Sequence, residues 1–224
     1  MSTAASRPLR LVVFDATDTR RRTLPARTAD GSAGTSPGLT PIWRAGAFLH
    51  CLARAADGRL AASSWGEALS WVARTSHERG RKVGSVQVWG HGGWGWMQLG
   101  ETRLDQSALR PGHALAPAID ALCDCLAGPE ALFWLRCCSA FGHTTGRHFA
   151  RELAARLGAK VAGHTYIIGG LQSGTHSLRP GEEPGWDPRE GVRYQGGEAI
   201  AALWSAADAP NTISCFSIGL PDGL

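Results

Sequence analysis

The 224-residue sequence predicts an α/β fold of three layers, in which helices cover both faces of a mainly parallel central sheet. Short apolar runs rich in β-branched and aromatic residues alternate with longer segments whose apolar residues have helical spacing. Two of the runs, Val86–Trp89 and Ala131–Leu135, stop abruptly at reactive side chains. With 43% hydrophobic and 19% charged residues, we expect residues 1–224 to form one domain with a well-formed core.

The N-terminal half carries five predicted elements, in order a strand, two helices, a strand and a hairpin arm: Leu9–Phe14, Ile42–Ala55, a helix from Ser64, Val86–Trp89 and Met97–Leu99. The first strand ends near Asp15 and Asp18. The second helix begins after Ser64, because a serine at this position caps the helix and Glu67 completes a capping box.

The C-terminal half continues the alternation with a helix, a strand, a helix and two strands: Leu115–Leu126, Ala131–Leu135, Gly146–Leu157, Lys160–Gly163 and Ile213–Ile218. The helix before Gly158 places Phe149, Leu153 and Leu157 on one inward face, and the glycine ends it. Because strands alternate with helices, a parallel sheet is favoured over a meander.

Two segments, 19–41 and 169–197, are poor in apolar residues and are predicted to be mobile loops. Neither offers enough apolar area to offset the entropy that ordering costs. Limited proteolysis is therefore expected to cut these segments first, above all in the basic stretch Arg20–Arg27. Uniform protection of both segments in hydrogen exchange would contradict this expectation.

The six cysteines are scattered and include no CxxC pair; Cys123–Asp124–Cys125 comes nearest to one. No second cluster at zinc spacing accompanies it, so neither a metal nor any other cofactor is expected. Thiols without a disulfide framework are typical of a reducing compartment. Residues 1–10 lack the apolar core of a signal peptide, and no apolar run is long enough to span a membrane. The sequence therefore predicts a cytoplasmic protein without a membrane partner.

The net charge of +4 is modest, and 21 of the 23 basic residues are arginines. The densest basic run, Arg20–Arg22, lies in a predicted loop without interleaved aromatic residues. A nucleic-acid partner is therefore not expected.

His91 and Cys138 follow the two abrupt strand ends and are 47 positions apart. Ligands of open α/β sheets bind outside the carboxyl ends of the strands, so this histidine and cysteine are predicted to meet over one crevice. An imidazole beside a thiol is the arrangement that activates a cysteine nucleophile. Glycines at 90, 92 and 93 let a substrate backbone approach closely.

Two patterns, an apolar strand ending in His–Gly and a later one ending in a small residue and Cys, resemble those of caspase-like cysteine peptidases. That group includes caspases, metacaspases, gingipains and bacterial CHAT-type domains. The spacing is similar to that of caspases, whose His precedes the Cys by about 50 residues, although the residues around the Cys differ. The segments Gly146–Ala150 and Leu157–Gly163 are similar to the helix and strand after the Cys in several bacterial members. The resemblance covers residues 83–168, and the preceding residues match only in general plan.

The resemblance implies a caspase-like fold and a cysteine endopeptidase that acts on a protein or peptide through an acyl-enzyme. His91 would be the general base and Cys138 the nucleophile, with backbone N–H groups of Gly92 and Cys138 facing the oxyanion. Metacaspases have Asp–Cys–Cys where this chain has Arg136–Cys137–Cys138, and the second Cys is the nucleophile there. Neighbouring side chains of a strand face opposite ways, so only one of the two thiols faces the crevice.

Four residues are candidates for substrate binding: Arg136, Asp15, Asp18 and Trp94. Arg136 stands where metacaspases have an acidic residue, and its guanidinium would favour an acidic group before the scissile bond. Asp15 and Asp18 would instead form a pocket for Arg or Lys. A third interpretation is that Arg136 only pairs with a nearby carboxylate. Trp94 either lines a substrate groove or packs within the hairpin.

Two other functions remain open. One is a catalytically silent caspase-like domain that binds a partner protein in the same cleft, and the other is a thiol acyltransferase that uses the same dyad. A purely structural interpretation also remains. In it, His91 lies at an ordinary turn, and Cys137 and Cys138 are buried thiols without a catalytic role. A zinc site formed by Cys138 and the four later histidines, His143, His148, His164 and His176, has no recognised motif.

Overall fold

The computed structural model describes residues 7–20, 22–23, 35–36 and 38–222. Within them lie these elements: β1 (Leu9–Asp15), β2 (Arg22–Thr23), β3 (Thr35–Ser36), α1 (Thr40–Leu52), β4 (Gly58–Ala62), α2 (Trp65–Arg79), β5 (Val83–Trp89), β6 (His91–Gly93), β7 (Trp96–Leu99), β8 (Thr102–Asp105), α3 (Ala116–Cys125), β9 (Leu132–Arg136), α4 (His143–Leu157), β10 (Lys160–His164), β11 (Leu171–Gln172), β12 (Thr175–Leu178), β13 (Val192–Gln195), β14 (Glu198–Ala202) and β15 (Ile213–Ser214).

A six-stranded sheet in the order β12-β10-β9-β5-β1-β4 forms the centre of the molecule. Five of its strands are parallel, and β12 joins the edge antiparallel to β10. The three-stranded antiparallel sheet β6-β7-β8 follows directly after the end of β5. The predicted mixed α/β fold with a mainly parallel sheet is therefore confirmed.

The two faces of the sheet are covered differently. Helices α2, α3 and α4 pack on one face and contribute Leu69, Ile119 and Phe149 to the larger core cluster. On the other face, α1 covers β1 and β5, with Ala47 among the buried residues. Over β9 and β10 this second face is covered by the segment around Ile213, which is not helical.

Local signals set the helix ends as the sequence predicted. The Ser64 hydroxyl accepts a hydrogen bond from the Glu67 N–H at 3.2 Å, and the Glu67 carboxylate in turn accepts one from the Ser63 N–H at 2.8 Å. These two bonds satisfy backbone donors that the first turn of a helix leaves unpaired. Gly158 ends α4 at φ +58°, a left-handed conformation that favours glycine.

The structure differs from the prediction at three strands, two of which belong to the central sheet. Strand β4 was not predicted, because Gly58–Ala62 lacks the β-branched and aromatic residues that mark a strand. The predicted strand Ile213–Ile218 shortens to β15, which pairs with β11 outside the central sheet. The sixth strand of the sheet is instead β12, whose four residues include Thr, His and Ser and become a strand by pairing with β10.

Strand β12 lies inside the predicted loop 169–197, which also holds β11 and β13. The secondary structure of this segment was therefore underestimated, while its mobility stays a prediction. Of the other predicted loop, 19–41, residues 21, 24–34 and 37 lie outside the described residues.

The apolar residues that predicted α1 do not all face the core. Leu49 is 47% and Leu52 is 68% exposed, whereas Ala47 and His50 are buried. The helix contacts the sheet along a narrow stripe because small residues such as Gly46 approach the Trp89 ring closely.

Candidate active site

The register of β5 and β9 brings the two predicted catalytic residues to one level. The last pair of these parallel strands is Trp89 with Arg136. His91 and Cys138 each follow that pair by two residues, so both leave the same carboxyl edge on neighbouring strands. Such strands lie about 4.8 Å apart, and residues two apart share a face. The register therefore places His91 and Cys138 at the same edge of the sheet, each two positions beyond the end of its strand.

Asp18 is the hydrogen-bond partner of His91. The Nε2 of His91 lies 2.8 Å from Oδ2 of Asp18, and an ionised carboxylate accepts the proton there. The backbone N–H of Leu39 donates to the same oxygen at 3.0 Å, and the Asp18 side chain is 3% exposed. The backbone at the start of α1 thus fixes the position of the Asp18 carboxylate. The carboxylate in turn holds the His91 imidazole in one tautomer and one orientation.

The ring of Trp43, one turn into α1, also contacts His91, with a centroid distance of 5.4 Å and an interplanar angle of 65°. Sequence reasoning treated Trp43 only as part of the apolar spacing of a helix and missed this contact. The signal that could have revealed it is that α1 is the first helix after the strand whose end carries the aspartates.

Asp15 has a different environment from Asp18. Its Oδ1 accepts bonds from the N–H and the hydroxyl of Thr17, both at 2.7 Å, and its Oδ2 accepts one from the N–H of Gly100 at 3.2 Å. The side chain is buried and ties the end of β1 to the turn between β7 and β8. The two aspartates therefore do not form one shared pocket, as they would to read a basic substrate side chain.

The two adjacent cysteines follow the end of β9 and differ in burial. Cys137 is 1% exposed and packs on Gly92, where an added Cβ would lie 2.5 Å from its Sγ. Burial raises the pKa of the Cys137 thiol well above its usual range, so this sulfur stays protonated. Cys138 is half-buried, which leaves its thiol as the one of the pair within reach of a substrate.

A tight turn follows Cys138 and leads into α4. Ser139 has a φ of +46°, and its N–H donates to the carbonyl of Tyr166 at 2.8 Å. The N–H of Phe141 donates to the carbonyl of His164 at 3.0 Å. The Ser139 N–H is therefore engaged within the fold, and the assignment of the oxyanion donors to Gly92 and Cys138 stays a prediction.

Trp94 lies at the turn between β6 and β7, next to the first turn of α4. Its ring stacks on His143 at a centroid distance of 4.9 Å. The indole is half-buried, and its Nε1 is buried without a hydrogen-bond partner among the described residues. Packing against α4 thus accounts for much of the Trp94 surface.

Arg136 is 4% exposed and ends β9, with its guanidinium 4.5 Å from the centre of the Trp134 ring. Its guanidinium donates to Oε1 of Gln172 at 2.7 Å and to Oε1 of Gln87 at 3.0 Å. No carboxylate pairs with it in the part of the chain that the structure describes, so the simple ion-pair interpretation is wrong there. Burial lowers the pKa of Arg136 to about 10, which still leaves it charged at neutral pH.

His164 lies beside Arg136 at the end of β10 and is fully buried. Its Nδ1 is 3.3 Å from the hydroxyl of Thr175, while its Nε2 has no hydrogen-bond partner among the described residues. Burial, assisted by the positive charge of Arg136, lowers the pKa of His164 to about 3. The fold therefore requires this histidine to be neutral.

The requirement for neutral His164 predicts a loss of stability in acid. An unfolded histidine takes up its proton near pH 6.5, whereas folded His164 does so only near pH 3, so stability falls as the pH drops through this interval. Urea unfolding is expected to show a loss of about 2 kcal/mol between roughly pH 6 and pH 4 from this residue. The variant His164→Asn should have a correspondingly flatter pH dependence, and an equal slope in both chains would contradict the assignment.

No cluster of three His, Cys, Asp or Glu side chains that could hold a metal occurs among the described residues. Two of the four histidines considered for a zinc site have other partners: His143 stacks on Trp94, and Nε2 of His176 lies 2.7 Å from Oε1 of Glu190. None of the described helices has the length and apolarity that crossing a membrane requires.

No protein-family model matches this chain, and no curated protein matches it either.

Proposed function

We propose that this chain is a cysteine peptidase of caspase-like fold, in which Cys138 is the nucleophile, His91 the general base and Asp18 the residue that orients it. The observation that carries the proposal is the contact between His91 and buried Asp18, at the sheet edge that Cys138 also follows. His91 and Cys138 extend from a paired register, and a buried carboxylate holds the imidazole. A nucleophile, a base and a third group that orients the base are the parts that thiol catalysis needs.

The sheet topology supports the caspase-like assignment. Numbered along the chain, the six central strands are arranged 2-1-3-4-5-6, and only the last is antiparallel. The nucleophile follows the fourth strand and the base follows the third, as in the peptidases that the sequence resembles. The third layer is incomplete, since α1 shares that face with a non-helical segment.

The reaction would begin with proton transfer from the Cys138 thiol to Nδ1 of His91, because Nε2 is occupied by Asp18. The thiolate attacks the carbonyl carbon of the scissile amide, and the backbone N–H groups of Gly92 and Cys138 bind the oxyanion. As the C–N bond breaks, the imidazolium returns the proton to the leaving amine. His91 then removes a proton from water, which hydrolyses the acyl-enzyme and regenerates the thiol.

We favour Arg136 over Asp15 and Asp18 as the residue that determines substrate specificity by binding the substrate side chain. Asp15 and Asp18 are already engaged within the fold. Arg136 is engaged as well, but only by neutral amide and carbonyl oxygens, which a substrate carboxylate would replace. A buried guanidinium with such partners favours a carboxylate ligand.

Cleavage of a peptide library is expected to show a preference for Asp or Glu before the scissile bond. Arg136→Ala should remove that preference, by roughly 10-fold or more, because a charge-assisted hydrogen bond is lost. Leu132→Ala, on the same strand but further from its carboxyl end, is the control for general weakening of β9. A strong preference for Arg or Lys would eliminate the acidic subsite, and an unchanged profile in Arg136→Ala would make Arg136 purely structural.

Product analysis by mass spectrometry tests the function itself. In ¹⁸O-labelled water, hydrolysis puts one heavy oxygen atom into the new carboxyl terminus. An acyltransferase would instead join the acyl group to an added amine, and a silent binding domain would leave every peptide intact. Cleavage with ¹⁸O incorporation that is lost in Cys138→Ala supports the peptidase, whereas either other outcome contradicts it.

A further inference from the structure

The segment from Ile213 to Ile218, here called the C-terminal strap, lies along the sheet face next to the candidate site. Its first two residues are β15 and pair antiparallel with β11, Ser214 opposite Leu171 and Ile213 opposite Gln172. The N–H of Cys215 extends this pairing by donating to the carbonyl of Gly170 at 3.0 Å. The strap thus adds to β11 as a short extra strand.

Arg136 and Gln87 hold the rest of the strap through its main chain. The guanidinium of Arg136 donates to the carbonyls of Cys215 at 2.8 Å and Ser217 at 3.1 Å. The side-chain amide of Gln87 donates to the carbonyl of Ile218 at 2.7 Å. These donors bind main-chain carbonyl oxygens, which every peptide carries.

The strap's own side chains contribute little to its attachment. Phe216 is 69% and Ile218 is 51% exposed, while Ile213 alone is buried, against Trp134 and Ala162. One apolar anchor and main-chain hydrogen bonds are also the means by which β-strand addition binds extended peptides. The local sequence of the strap is therefore largely exchangeable.

We propose that β11, Gln87 and Arg136 form a groove for an extended peptide, and that the chain's own C-terminal strap occupies it. Arg136 is the last residue of β9, and Cys138 lies two positions beyond it in the turn that follows, so the groove ends next to the turn that carries the candidate nucleophile. That its visiting ligand is the peptidase substrate rests on the proposed function, whereas the groove itself rests on the contacts above. The strap competes with any visiting peptide for the same donors.

Tethering makes the strap a strong competitor. A segment joined to its site by a short linker has an effective concentration in the millimolar range, so a peptide of similar intrinsic affinity binds only weakly to the intact chain. Replacing Ile213 with aspartate removes the apolar anchor and sets a charge against buried Trp134. The groove should then be open to a peptide added in trans.

Peptide binding to the full-length chain tests this inference, with Cys138→Ala as the background so that no turnover occurs. The probe is a fluorescein-labelled peptide of residues 212–220, followed by fluorescence anisotropy. With Ile213→Asp added, the peptide is expected to bind at least 10-fold more tightly than to Cys138→Ala alone. The same peptide with aspartate at the position of Ile213 should bind at least 10-fold more weakly, because it lacks the apolar anchor. Phe216→Ser, which changes an exposed strap side chain, should leave the affinity unchanged.

Hydrogen exchange at the Cys215 amide reports release of the strap in the same samples. Faster exchange with tighter peptide binding supports the groove. Faster exchange without binding would overturn it, and so would unchanged exchange, because the strap would then be a fixed part of the fold. If Ile213→Asp fails to fold, the milder Ile213→Ala is expected to change exchange and binding in the same directions.

Failure of the groove and failure of the peptidase have different signatures. Binding is measured without the nucleophile, so a chain that lacks peptidase activity would still bind the peptide. A peptidase without this groove would hydrolyse peptides at a rate that Ile213→Asp does not raise.

Discussion

Replacing Cys138 with alanine is expected to reduce peptide hydrolysis by about 10³-fold or more, because no other group can form the acyl-enzyme. The substitution removes one half-buried sulfur from the turn after β9. We therefore expect the thermal unfolding temperature to stay close to that of the unsubstituted chain. The rate of hydrolysis and the unfolding temperature are measured on the same preparation.

Cys137→Ala is the matched control. Its sulfur is buried against Gly92, and its thiol is kept protonated by burial. Loss of the sulfur should cost about 1 to 2 kcal/mol of stability through the small cavity it leaves, with hydrolysis reduced only slightly. If Cys137→Ala were inactive and Cys138→Ala active, the nucleophile would be wrongly assigned.

The second large loss of hydrolysis is expected when His91 or Asp18 is replaced. His91→Ala should lower the rate of hydrolysis by about 10²-fold or more, because general acid–base catalysis contributes that much. Asp18→Asn should lower it by about 10-fold to 10²-fold, because an amide neither fixes the same tautomer nor stabilises the imidazolium. Hydrolysis rates at saturating peptide measure both effects, and Asp18→Glu should restore part of the activity if the carboxylate is what matters.

Asp15→Asn provides the comparison for Asp18. The Asp15 carboxylate accepts hydrogen bonds from Thr17 and Gly100 and does not contact His91. Its replacement should therefore lower stability by about 1 kcal/mol and leave the rate of the chemical step nearly unchanged. Equal losses of activity in Asp15→Asn and Asp18→Asn would show that Asp18 acts only by holding the strand end.

The sequence predicted those parts of the molecule that local chemistry determines. The runs before His91 and Cys138 are apolar and end at polar residues, and both are strands that end there. Ser64 and Gly158 bound helices as their capping chemistry requires. The choice of Cys138 over Cys137 stays a prediction: both follow the end of β9, and Cys137 is the more deeply buried of the two.

The features that the sequence could not reveal depend on distant partners. Strand β12 is polar and forms because β10 offers an open edge. Asp18 looked like a substrate contact, and only the pairing of β1 with β5 shows that it meets His91. The partners of Arg136 lie as far along the chain as Gln87 and Ser217, so no local pattern could predict them.

Labelling of Cys138 by a peptide-based electrophile tests the central claim most directly, because it needs only the thiol, its base and the cleft. The mass of tryptic peptides identifies the modified cysteine, and the rate of labelling is compared with that of His91→Ala. We predict rapid modification of Cys138 alone, slowed by about 10-fold or more in His91→Ala. Labelling that is equally fast without His91, or that falls on Cys51, Cys123 or Cys215 instead, would contradict a His91–Cys138 catalytic pair.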